Sequence, residues 1–260
     1  MSILTKKSIL VTGGTGSIGT ALVKKAISDK AKLIRVFSND ENGLYELESE
    51  FSNHKNIEYV IGDIQNEERV SEIVKGMDII FHAAALKHVP KIEYNPFEAI
   101  KTNVIGSQNV INACLHENVE KAVAISTDKA VSPLNTYGAT KLLTEKLFAT
   151  TNNYLNPERH KTKFIAVRYG NVFGSSGSVV PKFIEQIRNH QKITITDMKM
   201  TRFSITMEQA LDFILKATEL GKGSEIFLPK MRSYTMSDLL DAIIKMVGKT
   251  EFEIIGSRPG

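Results

Sequence analysis

The stretch SILVTGGTGSIG (8–19) joins a short apolar run to three glycines spaced three residues apart. The run 8–12 reads as a buried strand. The residues from 17 to 29 carry a helical period, so the glycines fall in a strand-to-helix turn. Gly13, Gly16 and Gly19 allow the chain to turn tightly, and the helix start then offers unpaired N–H groups and a partial positive charge to an anion. Ser17 adds a hydroxyl at the same place.

The same rhythm continues outward. Strand-like runs KLIRVF (32–37), IEYVIG (57–62), DIIFHA (78–83), KAVAIS (121–126) and KFIAVR (163–168) alternate with helical stretches at 41–52, 66–76, 96–117 and 137–153. Connections of that length place a crossover helix between parallel neighbours. The expected fold class is therefore α/β, a Rossmann-type doubly wound parallel sheet with function at the carboxyl ends of its strands. After Asn171 the pattern changes, starting with the Gly- and Ser-rich GNVFGSSGSVVP (170–181). Residues 1–170 are expected to form the dinucleotide-binding domain with its catalytic groups, and 171–260 a smaller, mainly substrate-binding part. Because SRPG (257–260) follows directly on a β-like run, a further C-terminal segment is expected outside this chain.

With 260 residues and 42% hydrophobic content, the chain can bury the core of one large domain or of a nucleotide-binding domain with an appendage. The net charge of +4 is spread without a block of one sign. A nucleic-acid partner, which needs a basic stripe interleaved with aromatic platforms, is not expected. Cys114 is the single cysteine, which excludes an intrachain disulfide or a cysteine-held metal and fits a reducing compartment. The first apolar run is too short for a signal or a membrane span, so a cytoplasmic location is expected.

The spacing TGxxGxxG points to the short-chain dehydrogenase version of dinucleotide binding. The end of the second strand reads FSNDE (37–41): Ser38 and Asn39 are neutral donors that accommodate a 2′-phosphate, Asp40 and Glu41 follow, and no Arg is present. NADP is the expected cofactor and NAD the alternative. Asp63, after the third strand, suits a contact to the adenine or, equally, a helix cap. Thr15, Ile18, Ile64 and Ala83 complete the expected cofactor surround.

The chemistry is expected in STDKAVSPLNTYGATK (126–141). Tyr137 precedes Lys141 by four residues, which puts both on one helical face. A phenol with a pKa near 10 needs an adjacent ammonium and a positive nicotinamide to act as a base at neutral pH. Asp128 and Lys129 stand at the end of the fifth strand, where simple oxidation needs only a Ser or Thr. They add an acid and a base; the alternative is a loop ion pair or cap.

With these motifs quoted, the chain resembles the inverting UDP-N-acetylglucosamine 4,6-dehydratases of the extended short-chain dehydrogenase/reductase family, which open pseudaminic acid synthesis. The likeness runs through HAAALKHVP (82–90), EYNPFEAIKTNVIGSQNVINACL (93–115), VRYGNVFGSSGSVVP (167–181), ITDMKMTRFSIT (195–206), EIFLPK (225–230) and IIGSRPG (254–260). It implies that Tyr137, aided by Lys141, takes the 4-hydroxyl proton while Thr127 holds the sugar. Lys129 would take the C5 proton and Asp128 protonate the departing 6-hydroxyl. The resemblance further implies that Lys87 and Asn103 help seat the cofactor and that Asn171, Val179, Thr196, Arg202 and Arg258 line the UDP-sugar site. It implies homo-oligomers as well. Asn39 stands where related sequences often carry Arg. A UDP-sugar 4-epimerase would share the glycines, Tyr137 and Lys141 but has no use for Asp128 and Lys129. A third reading is a non-enzymatic NADP(H) sensor that binds a partner protein.

Overall fold

A computed structural model describes residues 2–175, 179–248 and 250–256. The apolar runs form β1 (Ser8–Thr12), β2 (Leu33–Ser38), β3 (Ile57–Ile61), β4 (Ile79–His82), β5 (Lys121–Thr127) and β6 (Lys163–Tyr169). Between them lie α1 (Ser17–Ser28), α2 (Glu41–Glu50), α3 (Glu67–Val74), α4 (Val89–Tyr94), α5 (Pro96–Ala99), α6 (Gly106–Glu117) and α7 (Thr136–Thr151). After β6 come β7 (Asn171–Val172), α8 (Val179–Arg188), β8 (Ile193–Ile195), β9 (Thr201–Ile205), α9 (Met207–Leu220), β10 (Ile226–Phe227), β11 (Ser233–Thr235), α10 (Met236–Val247) and β12 (Phe252–Ile254).

Seven strands make one sheet in the order β10-β6-β5-β4-β1-β2-β3, every pairing parallel. The α/β, Rossmann-type expectation holds. The strand order reverses between β1 and β4, and the resulting crevice lies outside their carboxyl ends. Alternating side chains on each strand serve two cores. Ile9 and Val11 pack with Leu22 and Val23 of α1, Leu44 of α2 and Ile214 of α9, while Leu10 packs with Val70 of α3, Val110 of α6 and Phe148 of α7.

A third core joins Phe183, Ile193, Ile195, Leu240 and Ile243 in the smaller C-terminal part. There β9 pairs with β7 and β11, and β8 pairs with β12. Residues beyond 171 also return to the large sheet: α9 covers the α1 face, and β10 pairs Ile226 with Ala166 of β6. A two-residue strand has too little alternation to be read from sequence. The long helical pattern at 96–117 is interrupted by a π turn at Ile100–Ile105, and α4 adds a short helix that the pattern did not announce.

Candidate active site

At the carboxyl edge of the sheet a cleft of about 500 Å³ runs from the glycine turn to Tyr137 and Lys141. Gly13 has φ +66°, and a Cβ there would stand 2.7 Å from the backbone of Ala84. A Cβ on Gly19 would lie 2.2 Å from the carbonyl oxygen of Gly13, so α1 can start this close to β1 only with glycine. Gly16 caps α1 without a side-chain hydrogen bond, and the first turn carries no acidic residue. The opening N–H groups of α1 therefore suit a pyrophosphate, and Thr15, Gly16, Ser17, Ile18 and Gly19 all line the cleft.

Farther along, Ser38, Asn39, Asp40, Asp63, Ile64, Ala83 and Lys87 line the same cleft. The Thr15 and Ser38 hydroxyls are 2.9 Å apart and tie the ends of β1 and β2 together. Asp40 is committed to its own helix: its Oδ1 accepts from Gly43 N at 3.1 Å and caps α2. Asn39 Nδ2 donates to Asp63 Oδ2 at 3.2 Å, and Asp63 Oδ1 accepts from Gln65 N at 2.9 Å. Burial lowers the pKa of Lys87 from its ordinary value.

Helix α7 begins at a side-chain cap, Asn135 Oδ1 accepting from Gly138 N at 2.8 Å, and this fixes Tyr137 in the first turn. Tyr137 and Lys141 both face the cleft. Burial pushes the Tyr137 phenol up to about 12, opposed by its hydrogen bond with Thr127. Burial brings the Lys141 ammonium down to about 8, opposed by the charge of Glu145. Thr127 ends β5 and donates to Asp128 Oδ1 at 3.0 Å. Lys129 Nζ donates to that same oxygen at 3.0 Å and to Asn171 Oδ1 at 3.2 Å. Lys129, Thr127 and Asn171 line the cleft; Asp128 is not among the lining residues and is bonded to two that are, Thr127 and Lys129.

The sequence reading passed over His82, Glu145 and Tyr169, and expected Asn103 to help seat the cofactor. His82, at 1% exposure, bridges Thr12 Oγ1 at 2.8 Å and Ser107 Oγ at 2.9 Å, and burial lowers its pKa to about 3. Asn103, presented by the π turn, accepts from Leu86 N at 2.8 Å and donates to Leu86 O at 2.9 Å. It braces the cleft wall from behind and is not itself in the lining. Glu145, fully buried, accepts from Ser126 Oγ at 2.5 Å and Arg168 Nε at 2.9 Å. A charge on a helix reads as a solvated face, so the one available signal was its position four residues after Lys141. Tyr169, at the end of β6, also lines the cleft. Val179, Thr196 and Arg202 do not line it, although Asn171, beside them in the expected set, does. Arg202 Nη1 donates to Thr201 O at 2.8 Å. Arg258 lies outside the described residues.

A parallel sheet with a glycine turn at its switch point and a Tyr–Lys pair across the cleft defines a short-chain dehydrogenase/reductase type of protein. The chain belongs to the polysaccharide biosynthesis protein family, whose model matches residues 9–260. It is 46% identical to an inverting UDP-N-acetylglucosamine 4,6-dehydratase of Campylobacter jejuni, over 98% of this chain and 75% of that one. It is 40% identical to a UDP-glucose 4-epimerase of Rickettsia akari, again over 98% and 75%. Among solved structures it is similar to Pen from Bacillus thuringiensis, with TM-score 0.93, 42% identity and coverage of 99% of this chain and 81% of that chain.

Proposed function

We propose that this protein is an inverting UDP-N-acetylglucosamine 4,6-dehydratase that forms UDP-2-acetamido-2,6-dideoxy-L-arabino-hexos-4-ulose, the entry to pseudaminic acid-type nucleotide sugars. The observation that carries the reading is the Lys129–Asp128 pair, 3.0 Å apart at the end of β5 and joined to Tyr137 through Thr127. Oxidation alone needs the Tyr137–Lys141 pair. Elimination of water across C5 and C6 needs a second base and an acid, and this pair provides both.

Bound nicotinamide dinucleotide would supply the redox chemistry, accepting hydride from C4 and returning it to C6. Tyr137 takes the proton of the 4-hydroxyl, its phenolate favoured by the Lys141 ammonium one turn along α7. The new ketone acidifies C5–H. Transfer of one proton within the Lys129–Asp128 ion pair gives an amine and a carboxylic acid, the two forms that elimination requires. Lys129 then takes the C5 proton, and the proton held by Asp128 passes through Thr127 Oγ1, which lines the cleft and is bonded to Asp128 Oδ1 at 3.0 Å, to the departing 6-hydroxyl, which leaves as water. The two protons gathered by Tyr137 and Lys129 match the two given up, one to water and one to C5 from the opposite face.

NADP is the proposed dinucleotide. Ser38 and Asn39 at the end of β2 line the cleft and offer neutral donors to a 2′-phosphate, while Asp40, which lines it too, has one carboxylate oxygen held in the cap of α2. A homo-oligomer in the cytoplasm belongs to the same reading. Tyr94, Phe97 and Leu134, exposed at 89%, 65% and 93%, support association, and among the described residues no helix is long and apolar enough to cross a membrane.

The similarity to a UDP-glucose 4-epimerase favours a second reading in which Tyr137 and Lys141 suffice and Lys129 is idle. NMR of UDP-N-acetylglucosamine turned over in D₂O separates the two. A 4-keto-6-deoxy product with deuterium at C5 supports dehydration; a C4 epimer with hydrogen retained at C5 overturns it.

A further inference from the structure

Glu145 is a carboxylate with no exposed surface, on the same face of α7 as Tyr137 and Lys141 at steps of four residues. Its surroundings are built to hold the charge. Ser126 Oγ of β5 donates to it at 2.5 Å and Arg168 Nε of β6 at 2.9 Å, with a second, shorter bond from Arg168 Nη2. Ser126 and Arg168 are register partners across the two strands that end in Thr127 and Tyr169. The carboxylate thus locks α7 onto the strands that carry the catalytic edge.

We propose that Glu145 is the positioning residue of the Tyr137–Lys141 pair, a buried anion one turn beneath Lys141 that keeps its amino group charged under the cleft. The inference rests on the roles given to Tyr137 and Lys141 above but not on the identity of the sugar. A buried ammonium tends toward its neutral form, and Lys141 is only 3% exposed. Of the groups around it, His82 of β4 is held neutral and gives no counter-charge. Arg168 of β6 is a cation bound up by Glu145 itself. Asp128 and Lys129 pair with each other at the end of β5, and Asp128 acts on Tyr137 in the direction that opposes the phenolate. From the helices packed at the start of α7, Glu93 is spent on Thr136 N at 2.7 Å, and Glu98 is paired with Lys101. Glu145 is the anion that acts on Lys141, and its direction is upward.

The test is Glu145→Gln, which keeps the shape and removes the charge. Loss of the anion lets Lys141 deprotonate at lower pH. The Lys141 titration is followed by NMR of protein labelled at the lysine Cε, with Lys141→Met subtracted to isolate the one signal. The Lys141 midpoint should fall by about one pH unit in Glu145→Gln, a tenfold change in the ionisation constant, and return in Glu145→Asp. An unmoved midpoint in a folded Glu145→Gln overturns the proposal. Should that variant not fold, Arg168→Gln removes the opposing cation and must move the Lys141 midpoint upward; no movement overturns the proposal equally. The titration needs no turnover, so a protein that fails to dehydrate UDP-N-acetylglucosamine sinks the proposed reaction and leaves this measurement standing.

Discussion

Lys129 reaches back across its own backbone to Asp128, Nζ to Oδ1 at 3.0 Å, and in the same pose meets Asn171 Oδ1 at 3.2 Å. Two adjacent residues on a single 3₁₀ turn are thereby joined as an ion pair and tied to the residue that opens β7. In the proposed reaction this pair supplies the acid and base that elimination requires and oxidation alone does not.

Replacing Lys129 with Ala should therefore separate the steps. Dehydration and C5 exchange should fall by about 10²–10⁴-fold, the range for loss of a positioned base, while oxidation at C4 continues. Single-turnover absorbance of the reduced cofactor reads the first step and NMR in D₂O the second. Equal loss of both steps would place Lys129 in binding and remove it from the C5 chemistry.

Tyr137→Phe should cut the first step by a similar factor and leave dinucleotide binding within about twofold, since the pyrophosphate and ribose are proposed to bind at the glycine turn and the end of β2. Stopped-flow kinetics and a fluorescence titration with NADPH measure the two quantities. A variant retaining wild-type oxidation would transfer the role to another group.

At the end of β2, Asn39→Arg should raise the preference for NADP over NAD by about tenfold or more, because a guanidinium can fork onto the 2′-phosphate. The ratio of the two dissociation constants is the readout. An unchanged ratio would mean that the 2′ position does not lie against Ser38 and Asn39.

His82 makes stability depend on acid. Its folded pKa is about 3, below the ordinary value of 6.5, so its contribution is complete above about pH 6.5 and is lost as the pH falls from there toward 3. Stability should decline by about 1.4 kcal/mol per pH unit from this group, or about 2 kcal/mol between pH 6.5 and 5. Urea unfolding at several pH values checks the slope, and His82→Gln, which can still bridge Thr12 and Ser107, should flatten it. The same slope in the variant would assign the acid sensitivity elsewhere.

Much of the fold was legible because its signals are local. The strands at 8–12, 121–127 and 163–169 fall within one residue of the expected runs, since a strand covered on both faces must be apolar throughout. The glycine turn was legible because Gly13 and Gly19 answer to their immediate neighbours, and the Tyr137–Lys141 pair because helical spacing aligns them. The interruption of 96–117 was not legible, because a single π turn of six residues is too short to break the apolar pattern read along the whole stretch. The seventh strand was hidden as well, two residues whose partner lies sixty positions earlier in the chain.

What the sequence determined by itself is the order of strands and helices, the anion-binding turn and the residue types able to carry acid–base chemistry, because each follows from spacing along one element. Tertiary structure alone decided that Lys129 faces the cleft and meets Asn171, that Asp40 is spent on a helix cap, and that Glu145 lies under Lys141 between Ser126 and Arg168. These are charges and hydrogen bonds between segments far apart in the chain, and which group finds which partner is set only when the sheet and helices close around them.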